Sequence, residues 1–172
     1  MRSERGMSLA EVTVVMVLAA VIITAVATYS IPWLGREEMR GAVYTVQEYL
    51  QLARVQAVSR NRDCRFLIDS SSRQVSVTDL NDPADATDDL SLYSVTLSSR
   101  VTFARPDPGP AVTLASVSGS LYQATFSSDG SVTAGAGLIA LQGGDASYRV
   151  NLYGAGGVRV ERWDGSSWVA GS

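Results

Sequence analysis

A chain of 172 residues, 46% hydrophobic and 18% charged, has room for one globular domain plus one apolar segment and is too apolar for a disordered tail. Its net charge of −3 withholds the global attraction for phosphate backbones that nucleic-acid binders show. All 14 basic residues are arginine and histidine is absent, so the commonest general base and metal ligand is missing.

The chain opens MRSERGMSLAEVTVVMVLAAVIITAVATYSIPWLGREEMR, and from Met7 to Leu34 its one charged residue is Glu11. The apolar run over residues 12–31 is long enough, as a helix of about 30 Å, to cross a bilayer core. Arg2 and Arg5 precede it, which predicts a cytoplasmic N-terminus and places the bulk of the chain across the membrane. Three readings compete. A secretory signal peptide would use the A-x-A site Ala25-Val26-Ala27, giving a start at Thr28, but its apolar core would be unusually long. A plain single-pass anchor explains length and orientation and leaves Glu11 without a role. A carboxylate in lipid costs about 2.5–3.5 kcal/mol and therefore seeks a partner.

The third reading accounts for Gly6, Met7 and Glu11 together. The stretch GMSLAE resembles the type III signal of type IV prepilins and pseudopilins: a short basic leader, a glycine, a hydrophobic residue, and a glutamate four positions later. Met7 stands where phenylalanine is usual, and Ala10 is smaller than the usual isoleucine or valine. The resemblance implies cleavage between Gly6 and Met7 by prepilin peptidase, a membrane-embedded aspartyl peptidase, and N-methylation of Met7. It implies that Glu11 of one subunit pairs with the Met7 amine of its neighbour, which would set axial register in a filament. The i, i+4 spacing also lets Glu11 meet its own N-terminus before assembly. The implied partners are other pseudopilins or pilins, the peptidase and inner-membrane lipid.

Pro32 removes a backbone donor and predicts a kink or loosening of the helix, and Gly35 loosens it further. Beyond it Val43, Val46, Leu50, Ala53 and Ala57 recur at spacings of 3 and 4, a narrow apolar stripe that must be covered by the chain's own domain. Asn61 and the charges around it close the helix. One long helix, roughly 9–60, is expected, half in membrane and half docked on a globular domain.

From Cys64 the period changes to 2. A hairpin is expected from CRFLID and QVSVTD around SSSR. LYSVTLSSRVTFA alternates through Tyr93, Val95 and Leu97, then Val101 and Phe103. LYQATF puts Tyr122, Ala124 and Phe126 on one face before an Asp129-Gly130 turn. GLIALQGGDASYRVNLY reads as strand, glycine-rich turn, strand, and GVRVERWDGSSWV as a terminal hairpin over Asp164-Gly165. Cys64 lies between Arg62 and Arg65, which could lower a thiol pKa, but it reads better as a small residue in a packed strand. The fold class expected is α+β: a long transmembrane plus amphipathic helix packed on a C-terminal antiparallel two-sheet β domain. The segments are a leader over 1–6, an assembly helix over 7–34, an amphipathic half over 35–62, and a β domain over 63–172.

This order resembles the GspH/FimT pseudopilins, whose helix ends in an L..AR.EA..R pattern before the first strand. Leu52, Ala53, Arg54, Ala57 and Arg60 match it, with Gln56 where glutamate is common. Phe126 and Gly130 resemble the family's F...G element, and SYRVNLYGAGGVRV its closing strand, turn and strand. The resemblance implies a minor pseudopilin of a type II secretion pseudopilus, single-pass in the inner membrane with a periplasmic domain. The alternative is a minor type IV pilin of FimT/FimU type, including a DNA-binding role in natural transformation. Some FimT-like members carry a terminal GR.R motif. Here Val158 follows Gly157, so the first arginine is missing, and Arg149, Arg159 and Arg162 are left as nucleic-acid contact candidates that the acidic composition disfavours.

Asp79, Asp82, Asp85, Asp88 and Asp89 form an acidic loop, a weak calcium candidate. Pro83 sits where an EF-hand order needs an oxygen ligand, so a solvated loop is the better reading. No catalytic set and no cofactor motif emerge, so a non-enzymatic protein is expected.

Overall fold

The computed structural model describes residues 9–81 and 88–171, with the side chains of 27–34 outside the described set. The leader, Gly6 and Met7 therefore lie outside it, as do Asp82 and Asp85. The chain divides into two compact units, Met1–Gly35 and Arg36–Ser172.

The first unit holds the opening part of α1 (Leu9–Arg60). Leu9–Val26 has a mean hydropathy of 2.6 and none of it is buried. Leucine, alanine and methionine favour the helix by propensity. Thr13 and Thr24 bond back to the carbonyls of Leu9 and Ala20 at 2.8 Å, which hides their hydroxyls. Helix is assigned continuously through Pro32.

The second unit holds the rest of α1 and ten strands. β1 (Cys64–Asp69), β2 (Gln74–Asp79), β3 (Leu90–Thr96), β4 (Ala115–Ser118), β5 (Leu121–Phe126) and β6 (Val132–Ala134) form one antiparallel sheet. Its order is β3-β2-β1-β5-β4, and β6 pairs with the part of β5 that β4 leaves free. β7 (Gly137–Gly143), β8 (Ala146–Leu152), β9 (Val158–Trp163) and β10 (Trp168–Ala170) form the second, in the order β10-β9-β8-β7. All pairings are antiparallel, and short turns join β1 to β2, β4 to β5, β7 to β8 and β9 to β10, whereas residues 97–114 run from β3 to β4.

The core draws on all three layers. Met39, Val46, Leu50, Ala53 and Ala57 of α1 are fully buried with Phe66 and Ile68 of β1, Phe126 of β5 and Ile139, Leu141 and Val150 of the second sheet. The helix stops because Asn61 turns to a φ of 53°, and Arg62 N–H then donates to the Ala57 carbonyl at 3.1 Å. Arg60, in the last turn, donates to Asp79 at 2.8 Å and ties the helix end to β2.

One strand expectation needs correction. Val101 and Phe103 alternate as if in a strand, but the chain there makes only an isolated bridge, Thr102 to Gln142. Val112 makes another to Ile139. This irregular stretch covers the outer edge of β7, and Pro106, Pro108 and Pro110 deny it the donors of a full strand.

Candidate functional site

In the first unit the candidate site is the apolar stretch and its carboxylate. Glu11 falls in the first turn of α1, where the helix dipole favours a negative charge, and its residue is exposed. Leu9, Val14, Met16, Val17, Leu18, Val21, Ile22 and Ile23 are all more than half exposed. A helix apolar on nearly every side, none of whose window Leu9–Val26 is buried among the described residues, presents a surface that water does not favour.

In the second unit the arginines named from the sequence divide. Glu161, on β9, lies directly opposite Arg149 of β8 and is 7% exposed. Arg149 Nε donates to Glu161 Oε2 at 2.6 Å and Asn151 Nδ2 donates to the same oxygen at 2.9 Å. Arg159 Nε stands 3.3 Å from Oε1. Burial pushes the Glu161 carboxyl up, but the bonds from Arg149 and Asn151 outweigh it and hold the group below its ordinary value. Arg149 also stacks 4.7 Å over the Trp168 ring, which meets Trp163 edge-on at 5.3 Å. Arg149 and Arg159 thus share one carboxylate and knit the terminal hairpin to β8. Arg162 alternates to the opposite face of β9, facing Tyr148 across the ladder.

The described aspartates of the acidic loop have protein partners. Asp79 pairs with Arg60, Asp89 lies 3.6 Å from Arg65, and Asp88 accepts from Asn81 at 2.7 Å. Among the described residues no group of three or more acidic, Cys or His side chains is placed to hold a metal. Cys64 is fully buried, and burial pushes its thiol up to about 11. The nearby Asp79 adds to the rise, and the cation that opposes it is Arg60, which does not prevail.

Sequence reasoning missed a seam. Gly156, between β8 and β9, holds a φ of 77°, and a Cβ there would come within 2.0 Å of the Gly130 carbonyl. Val132 N–H donates to the Gly154 carbonyl at 2.8 Å. The Asp129-Gly130 turn of the first sheet and the GAGG turn of the second therefore touch beside Arg54 of the helix. The glycines were visible as turn signals, but nothing local says that two turns meet.

An N-terminal apolar helix followed by two antiparallel sheets is the α+β architecture of pseudopilins. A family model described as Type II transport protein GspH matches residues 42–156, and the chain belongs to that family of GspH-type pseudopilins. Among solved structures, the minor pseudopilin EpsH from the Type 2 Secretion System of Vibrio cholerae is similar with a TM-score of 0.50 at 18% identity. That match covers 72% of this chain and 95% of the other, and it speaks to the fold alone. A second EpsH crystal structure from Vibrio cholerae gives a TM-score of 0.47 at 18% identity, covering 81% and 98%. A search of curated proteins gave no match. Pseudopilins are structural rather than enzymatic, and they assemble with one another into a filament.

Proposed function

We propose that this chain is a minor pseudopilin of a type II secretion pseudopilus, with the segments given above as leader, assembly helix, amphipathic half and β domain. Prepilin peptidase cuts between Gly6 and Met7 and Met7 is methylated. The apolar stretch anchors the subunit in the inner membrane, N-terminus cytoplasmic and β domain periplasmic. Glu11 then pairs with the Met7 amine of the adjacent subunit as the helices pack. The observation that carries this reading is the joining, in one chain, of a GspH-type globular part to an 18-residue apolar helical stretch, none of it buried among the described residues.

Mass spectrometry of the mature chain tests the processing: a methylated Met7 terminus supports it, and a terminus at Thr28 overturns it. Glu11→Val tests the assembly step. Insertion should be unchanged, since the substitution removes a charge from lipid, while co-isolation with the other pseudopilins should fall severalfold. Co-isolation equal to that of the wild type would remove the pairing.

A further inference from the structure

Several guanidinium groups of the globular unit lie within 3 Å of a carboxylate: Arg60 on Asp79, Arg100 on Glu38, Arg105 on Asp107 and Arg149 on Glu161. Three looser ones gather in one place. Arg36 approaches Asp145 only to 3.9 Å and Arg40 approaches Glu37 only to 3.5 Å, with all four side chains 45–75% exposed. Such pairs are worth little, and Arg40 is held mainly by the neutral Tyr148 hydroxyl, so the cations keep their charge for an anion. Arg162 has no carboxylate within 4 Å among the described residues. These three arginines, with Tyr148, Trp163 and Asp145, line a cleft of about 190 Å³ between α1 and the second sheet.

The cleft shares Arg40 and Tyr148 with a larger groove of about 390 Å³, whose lining sets Val43, Tyr44, Val158 and Val160 beside the polar Gln47 and Arg159. A cationic end thus adjoins an apolar wall, on a chain whose net charge is −3. We propose that this cleft binds the phosphate of an anionic phospholipid, with Arg36, Arg40 and Arg162 on the phosphate oxygens and the adjoining groove taking the glycerol and first methylenes.

Guanidinium forks match phosphate oxygens in geometry and charge. The amphipathic lining favours a lipid over free phosphate, which has no use for an apolar wall. Nucleic acid wants a cationic track over several phosphates, whereas this is one pocket on an acidic protein. Arg36 lies two residues beyond Leu34, the end of the apolar stretch, and a membrane interface is where headgroups are found. The inference rests on the proposed membrane anchoring of that stretch.

Native mass spectrometry of the full chain, released from detergent micelles with added phosphatidylglycerol, phosphatidylcholine, inorganic phosphate or a single-stranded oligonucleotide, reads the binding. The expected result is one retained phosphatidylglycerol, little phosphatidylcholine, and a loss on the order of 30-fold in Arg40→Gln/Arg162→Gln, at about fivefold per arginine. Arg62→Gln/Arg73→Gln, which removes the same charge elsewhere, should retain the lipid. Equal retention of both lipids, an unchanged double variant, or phosphate or oligonucleotide bound in preference to phosphatidylglycerol overturns the proposal. Carbonate extraction of the same membranes separates the two readings. A chain that resists extraction yet holds no phosphatidylglycerol sinks this inference alone, and a chain stripped by carbonate sinks the anchoring as well.

Discussion

Two stretches of α1 follow opposite rules. Over Leu9–Val26 the side chains are apolar on every side and none is buried. From Met39 to Ala57 the buried apolar residues form one stripe, in which Met39, Val46, Leu50, Ala53 and Ala57 are fully buried, while Tyr44 and Val55 lie off it and stay exposed. The same residue types, valine and leucine, are more than half exposed at Val14, Val17 and Leu18 in one and enclosed at the stripe positions Val43, Val46 and Leu50 in the other. Periodicity rather than hydropathy tells them apart. A stripe calls for a protein partner on one side, whereas apolarity all round calls for an apolar solvent.

The comparison can be broken at either stretch. Leu50→Ala should destabilise the globular unit by about 2–5 kcal/mol in denaturant unfolding and leave membrane retention unchanged. Val17→Arg should do the reverse. It adds about 2.5–3.5 kcal/mol to insertion, so carbonate-resistant chain should fall while unfolding of the globular unit stays where it was. If either variant moved both readouts alike, the two stretches would not be independent.

Finer tests bear on the covered side. Gly156→Ala must resolve both an unfavourable φ and the close Gly130 carbonyl, at a cost on the order of 1–3 kcal/mol in thermal unfolding. Gly144 also has a positive φ, 59°, but open space around it, so Gly144→Ala should cost less. Equal losses would mean that the meeting of the turns contributes nothing.

The smallest effect concerns acid. Backbone N–H groups of Ser167 and Ser166 hold Asp164 at about 2, below its ordinary 3.8. A depressed carboxyl stabilises the fold above the unfolded value, and that stabilisation is lost as pH falls through the folded one. The terminal hairpin should therefore loosen between pH of about 3.8 and about 2. Fluorescence of Trp163 and Trp168 should report this, and Asp164→Asn should flatten the response in that window.

Much of the fold could be read from local pattern. The stripe Val43, Val46, Leu50, Ala53 and Ala57 is buried as its spacing requires. Met39 and Ala42 belong to it too but are hidden beside Arg40 and Gly41. The hairpins over SSSR, GGD and DGSS have both alternation and turn chemistry. β4 and β6 escaped because strands of four and three residues carry almost no period. They exist because β5 offers them an edge.

Charge was far less legible. Arg149, Arg159 and Arg162 look alike along the chain, yet the first two meet over Glu161 while the third turns to Arg36 and Arg40, more than a hundred residues earlier. Hydrophobic period is a local property, set by the geometry of a helix or strand, so residues within a dozen positions declare the apolar helix, its stripe and most strands. Neutralisation of a charge depends on which groups come within a few ångströms, and for these arginines only the packing of helix against sheet decided that.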